Sequence, residues 1–155
     1  MAVMSETAIS LNASAGAGGI CRGARRLLWT EGQSSLTEFP LPNGRRADIL
    51  SLCPTGEVTI VEVKSSVVDF RTDCKWPEYR DFCDRFFFAV DDLFPSELIP
   101  EGCGLIIADS FGAEIVRPSP VARLAGARRK SLVGAFARLA ALRLHRIEDP
   151  MLGQF

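Results

Sequence analysis

The alternation of apolar and polar positions is sharpest between residues 45 and 65. Arg45-Arg46-Ala47-Asp48-Ile49-Leu50-Ser51-Leu52-Cys53 and Val58-Thr59-Ile60-Val61-Glu62-Val63-Lys64-Ser65 each read as a strand, and Pro54-Thr55-Gly56 between them is turn chemistry. Together they predict a hairpin. On the second strand Val58, Ile60, Glu62 and Lys64 share one side, while Thr59, Val61, Val63 and Ser65 share the other. Both sides are mostly apolar, which marks a central strand and makes its two terminal charges costly unless paired or used.

Around this hairpin the pattern changes period. Residues 1–19 are rich in Ala, Ser and Gly without periodicity and read as a flexible tail. Ile20, Ala24, Leu27 and Leu28 recur at helical spacing, predicting a first amphipathic helix over residues 20–30 with Arg22, Arg25 and Arg26 largely off its apolar face. Residues 36–41 predict a short strand, and Pro42-Asn43-Gly44 a tight turn into the Asp48 strand. Residues 66–74 connect onward with at most a helical turn, and Pro77 suits the first turn of a helix through Tyr79, Phe82 and Cys83. Phe86 to Val90 is a buried strand, residues 91–104 a loop, and residues 105–108 and 114–117 two short strands around a turn. A long helix over residues 121–145 closes the chain, with Leu124, Leu132, Phe136, Leu139 and Leu142 on its buried stripe. The order predicts one mixed α/β domain over residues 20–146, with residues 147–155 as a C-terminal tail.

Register turns this outline into chemistry. If Pro54-Thr55-Gly56 forms the loop, Cys53 faces Glu57, and counting back in antiparallel register sets Asp48 opposite Glu62. Their Cβ atoms are then about 5 Å apart. At about 4 Å two like charges repel by roughly 4 kcal/mol at an effective dielectric near 20, so a neutralising group is expected, and a divalent cation suits two carboxylates. A one-residue slip would send the acids to opposite faces. Glu38 joins them if Pro42-Asn43-Gly44 is a three-residue loop, and does not if the loop is Asn43-Gly44 alone.

Composition narrows the classes. The 155 residues are 47% hydrophobic, enough for a single core, and a net charge of -1 hides an asymmetry. Residues 57–114 hold 13 acids and 5 bases, whereas residues 115–146 hold 8 Arg or Lys and no acid. The five cysteines are scattered with no C-x-x-C pair, which argues against a disulfide framework or a zinc site and for reduced thiols. No apolar run approaches the roughly 20 residues a bilayer requires, and no signal-peptide pattern opens the chain, so a soluble cytoplasmic protein is expected. His145 is the lone histidine, and no Gly-rich phosphate loop or nucleophile elbow occurs, leaving nucleotide hydrolysis and serine-hydrolase chemistry without support.

Asp48 followed by Glu62-Val63-Lys64 resembles the PD-(D/E)xK nuclease superfamily. The longer strings Asn43-Gly-Arg-Arg-Ala-Asp48, Val61-Glu-Val-Lys-Ser-Ser66 and Lys75-Trp-Pro-Glu-Tyr79-Arg-Asp-Phe-Cys-Asp84-Arg-Phe-Phe-Phe-Ala-Val90 are similar to the MmcB-like family of bacterial DNA-repair endonucleases, over about residues 20–145. The resemblance implies a restriction-endonuclease-like core, with a mixed central sheet flanked by helices. It also implies metal-dependent hydrolysis of DNA phosphodiesters by an activated water. Asp48 and Glu62 become Mg²⁺ or Mn²⁺ ligands, joined by the Val63 backbone carbonyl and by Glu38 as a further candidate; Lys64 becomes the base that positions the water, for which its pKa must fall. Lys75 and Tyr79, one helical turn apart, resemble the Gln-x-x-x-Tyr motif of the RecB-type branch with Lys in place of Gln.

The candidate DNA contacts are Arg45, Arg46, Lys75, Tyr79, Arg128, Arg129 and Lys130. Each reading has a plainer rival. Asp48, Glu62 and Lys64 can form a structural ion pair, and Trp76 and Tyr79 can simply pack on the sheet. The closing helix can carry a solvated basic face instead of a phosphate-tracking one, and Asp69, Asp73, Asp81 and Asp84 read as caps and solvated charges. For the whole chain the rival function is a DNA-binding or recruitment module without turnover, and a chain this short leaves room for a homodimer or a repair-protein partner.

Overall fold

A computed structural model describes residues 14–152. The first helix, α1 (Gly16–Thr30), leads into three strands, β1 (Ser34–Pro40), β2 (Arg46–Leu52) and β3 (Val58–Val63). A short helix α2 (Val67–Thr72) and a 3-10 helix at Trp76–Phe82 precede β4 (Arg85–Val90). A 3-10 turn at Ser96–Leu98, β5 (Gly104–Ala108), β6 (Ala113–Arg117) and α3 (Gly126–Glu148) complete the order. The six strands form one sheet in chain order, with antiparallel pairing except for the parallel β3–β4 and β4–β5 neighbours. The result is a mixed open sheet flanked by helices.

Two apolar layers cover the sheet. On one face Ile20, Ala24 and Leu28 of α1 pack against Ile49, Val61, Val63, Phe87 and Ile106. On the other, Leu50, Ile60, Phe86 and Phe88 meet Tyr79 and Phe82 of the 3-10 helix and Leu132 of α3. Phe86–Phe88 is core, as its apolar run predicts, and all six residues of β3 are buried, as a central strand requires. α1 lies close to the turn between β5 and β6: a Cβ on Gly23 would sit within 2.1 Å of the Asp109 carbonyl oxygen and 2.4 Å of that of Gly112.

Both predicted registers are present. Ile49 pairs with Val61 and Leu50 with Ile60, while Thr37 pairs with Ile49 and Phe39 with Ala47, the spacing of a three-residue Pro42-Asn43-Gly44 loop. Gly44 takes φ 81° in that loop, a conformation glycine adopts without penalty.

Several boundaries differ from the sequence pattern. Gly16–Gly19 is the start of α1 and not tail; residues 1–13 lie outside the described residues. The helix expected from residue 121 begins at Gly126 and runs to Glu148, beyond the expected end at residue 145. The residues before it are extended because Asp84 holds them: Ala122 N–H donates to the Asp84 carbonyl at 2.9 Å and Leu124 N–H to Asp84 Oδ1 at 2.9 Å. Leu142, expected on the buried stripe, is 44% exposed, and only Leu132 of that helix is fully buried.

Candidate functional site

The site forms where β2 and β3 part. Their ladder runs from Leu52–Val58 to Ile49–Val61, whereas β3 stays paired with β4 from Thr59 through Val63, and Lys64 N–H donates to the Ala89 carbonyl at 2.9 Å. The freed amides are taken by side chains. Val63 N–H donates to Asp48 Oδ2 at 2.8 Å, and Asp48 N–H donates to Glu62 Oε1 at 3.1 Å. The two acids that the register sets opposite each other are therefore held by each other's strand, which fixes their orientation with few freely rotating bonds.

They border a cavity of about 610 Å³ together with Lys64, Asp69, Asp73 and Tyr79. Glu62 and Lys64 are only 3% and 4% exposed. Burial, then the charge of Asp48, pushes the Glu62 carboxyl up to about 8. Burial also raises Asp48, against the Val63 hydrogen bond. Both shifts run in the direction that eases the repulsion expected between the two acids.

Lys64 departs from its predicted role as a base. Burial alone would lower its pKa, but the hydrogen bond from Nζ to Asp73 Oδ2 at 2.6 Å, with the nearby Asp73, Asp69 and Glu62 carboxylates, raises it instead. The ammonium is a fixed cation pointing into an acidic cavity. Asp73, assigned to a cap or a solvated charge by sequence, is its principal partner, and its own pKa is lowered by that contact despite partial burial. No one-dimensional signal places Asp73 here; the loop after α2 brings it in. Asp69 is expected from sequence as a cap or a solvated charge; the cap of α2 is Ser66, whose Oγ accepts the Asp69 N–H at 3.1 Å, while the Asp69 carboxylate accepts the Ser65 N–H at 3.4 Å and lies 4.0 Å from Lys64 Nζ.

Tyr79 reaches the same cavity, its hydroxyl donating to the Arg46 carbonyl at 3.2 Å, and burial followed by the surrounding carboxylates pushes it up to about 12. It also stacks on Phe86, so the packing and the site roles coexist. Val63 lines the cavity. Glu38 does too, at φ 53° in a gap of the β1–β2 ladder, with its carboxylate 3.1 Å from Arg46.

The remaining candidates are spread out. Arg45 pairs with Glu78 at 2.7 Å, and Lys75 is exposed outside the cavity lining. Arg128 lies over the Phe82 ring at 4.9 Å and donates to the Asp81 carbonyl, while Lys130 is exposed. Arg129 binds both oxygens of Asp84 at 2.6 and 2.7 Å and the Gly56 carbonyl at 2.7 Å, which ties α3 to the sheet. Asp84, expected as a cap or solvated charge, is 3% exposed and also accepts the Val58 N–H at 2.7 Å.

Among the described residues no group of three or more His, Cys, Asp or Glu side chains is arranged to hold a metal ion. The available donor set is Asp48 and Glu62, adjacent and linked by the Asp48 N–H that Glu62 Oε1 accepts. That set fits Mg²⁺ or Mn²⁺, since Mg²⁺ commonly takes one or two protein carboxylates and keeps several waters.

Fold and site thus define a mixed α/β protein with a buried Glu62, a half-buried Asp48 and a lysine at the end of a central strand. The family model described as DNA repair protein MmcB-like matches residues 4–151, and the chain belongs to that family. A solved structure, a protein of unknown function (SPO1766) from Silicibacter pomeroyi, is similar to it at 45% identity with a TM-score of 0.85, covering 92% of this chain and 97% of that one. No curated protein matches. No helix among the described residues is long and apolar enough to cross a membrane.

Proposed function

We propose that this DNA repair family member is a metal-dependent endonuclease acting on DNA phosphodiesters, with Asp48, Glu62 and Lys64 as its catalytic residues. The observation that carries this reading is that the three side chains converge in one cavity at the end of β3. A helix, three strands, a helical connection and a parallel fourth strand, with acids on β2 and β3, support a restriction-endonuclease-like core.

Asp48 and Glu62 would hold Mg²⁺ or Mn²⁺, with Val63 and Glu38 as further candidate ligands. The bound cation would supply water acidification and charge neutralisation at the phosphate. The chain's own residues do the rest. Asp48 and Glu62 are oriented by the amides of Val63 and Asp48. Lys64, kept protonated by Asp73, offers N–H donors to a non-bridging phosphate oxygen and places a positive charge where negative charge develops. Tyr79 closes the inner wall with its hydroxyl anchored on β2.

The test is incubation of DNA with purified protein and Mg²⁺ or Mn²⁺. Cleavage is expected from the native protein and is expected to fall at least 100-fold in Asp48→Asn and Lys64→Ala, as for loss of a preorganised charge-stabilising group. A metal-dependent product unchanged in both variants would overturn the assignment. The firm Lys64–Asp73 pair favours a second reading, a DNA-binding module without turnover, which predicts salt-sensitive binding with no cleavage.

A further inference from the structure

Arg22, Arg25, Arg26 and Trp29 follow one another at helical spacing on α1, three, four and seven residues from the first, so they share one side of the helix. Its opposite side, Ile20, Ala24 and Leu28, is buried on the sheet. The outward side borders a groove of about 750 Å³ between α1 and the start of β1, walled across from the arginines by Gln33, Ser34 and Ser35. Among the described residues, no acidic side chain lines this groove.

Three properties set the groove apart from an ordinary solvated face. First, Arg45, Arg46, Arg85 and Arg129 each pair with a carboxylate, whereas Arg22, Arg25 and Arg26 pair with none among the described residues. Two of the three are nonetheless fixed: Arg25 donates to Ser35 Oγ at 3.0 Å and to the Ser35 carbonyl at 3.3 Å, and Arg26 to the Phe111 carbonyl at 2.9 Å. Their charges are positioned but not neutralised. Second, the Trp29 indole is 75% exposed at the far end of this row, a large flat apolar face left in water beside cations. Third, Gly18 and Cys21 border both this groove and the cavity of Asp48, Glu62 and Lys64, so the two lie side by side along α1.

We propose that this groove is a binding track for single-stranded nucleic acid, with Trp29 stacking on an unpaired base and Arg22, Arg25 and Arg26 following the phosphates toward the carboxylate cavity. The inference rests on the proposed phosphodiester site as the destination of the strand. Fixed cations with an aromatic platform are what sequence-tolerant single-strand binding requires, because every base has a π-face and every linkage a charge. A duplex keeps its bases stacked and offers the indole nothing, so preference for a single strand is part of the proposal.

The test is fluorescence anisotropy with a labelled oligothymidine and the same length as duplex, on the full chain in EDTA so that cleavage plays no part. The single strand is expected to bind more tightly. Trp29→Ala is expected to weaken it about ten-fold or more, with Trp29→Phe retaining most of the affinity. Arg22→Ala is expected to reduce the slope of log K against log salt by roughly 0.7. Trp29 is exposed and Arg22 carries no hydrogen bond or ion pair among the described residues, so the fold is expected to survive each change; a circular dichroism spectrum and melting curve check this. Binding unchanged in both Trp29→Ala and Arg22→Ala, or a duplex bound as well as the single strand, overturns the proposal, as does an acidic peptide competing fully for the groove. Groove-dependent binding with no cleavage under Mg²⁺ or Mn²⁺ would overturn the hydrolytic reading alone, and cleavage with binding indifferent to Trp29→Ala would overturn this one alone.

Discussion

Glu62 and Asp84 are both acids on or beside the central strands, and both are 3% exposed, yet their chemistry runs in opposite directions. Glu62 is pushed up to about 8 by burial and the adjacent Asp48. Asp84 is pulled down to about 2, because the Arg129 guanidinium and the Val58 and Leu124 amides outweigh its burial. Equal surface exposure thus accompanies a raised carboxyl in one place and a depressed one in the other. The difference lies in the partners: Asp84 meets a bidentate cation, while Glu62 meets another carboxylate and a lysine already engaged by Asp73. The Asp84 clamp stabilises the fold, joining α3 and the strap before it to β3. The Glu62 cavity costs stability, and a raised carboxyl at a concave, polar spot is the ground on which Glu62 is a candidate site residue.

Breaking the clamp should have the largest effect. Arg129→Ala leaves Asp84 buried without its cation and is expected to lower stability by about 3–5 kcal/mol, measured by urea denaturation. A loss below about 1 kcal/mol would mean that the amides alone hold Asp84. Relieving the cavity should act the other way. Glu62→Gln keeps an oxygen for the Asp48 N–H and removes an acid whose raised folded-state value makes stability fall as pH climbs from about 4.5 to about 8. The variant is expected to be more stable than the native protein by about 4 kcal/mol at pH 8 and to lose that advantage near pH 4. Equal stability at both pH values would show that Glu62 is not under strain.

The acid limb sharpens the same contrast. Because Asp84 is depressed in the folded state, its contribution of about 2 kcal/mol is present above pH 4 and is lost as pH falls toward 2. In Arg129→Ala that loss is expected to shrink, a comparison that melting curves between pH 2 and pH 5 would make. The smallest effect is expected from Tyr79→Phe. It removes one hydrogen bond to the Arg46 carbonyl while leaving the ring on Phe86, and should cost about 1 kcal/mol.

Much of the acid pair was legible in one dimension. Two turns, Pro42-Asn43-Gly44 and Pro54-Thr55-Gly56, set two registers, and with a side-chain period of two the registers decide which acids meet. Lys64 follows from the same parity. Its partner did not, because Asp73 arrives through an irregular loop whose path depends on how α2 seats on the sheet. Nor did the role of Arg129. Eight basic residues without an acid in residues 115–146 suggest a nucleic-acid face, yet the pairing with Asp84 crosses 45 positions and is invisible to any local pattern. The arginines of α1, by contrast, are in sequence only charges off the apolar face of a helix and become notable because packing leaves them without carboxylates among the described residues.

By itself, then, the sequence determined the elements, the two hairpin registers and the meeting of Asp48 with Glu62, since these depend on short turns and alternation along adjacent strands. Tertiary structure alone decided the raised pKa of Glu62, the capture of Lys64 by Asp73, the anchoring of α3 through Asp84 and the placing of the α1 groove beside the acid cavity. Each of these depends on how much water is excluded and on which distant charge takes its place, quantities that are set only when helices close over the sheet.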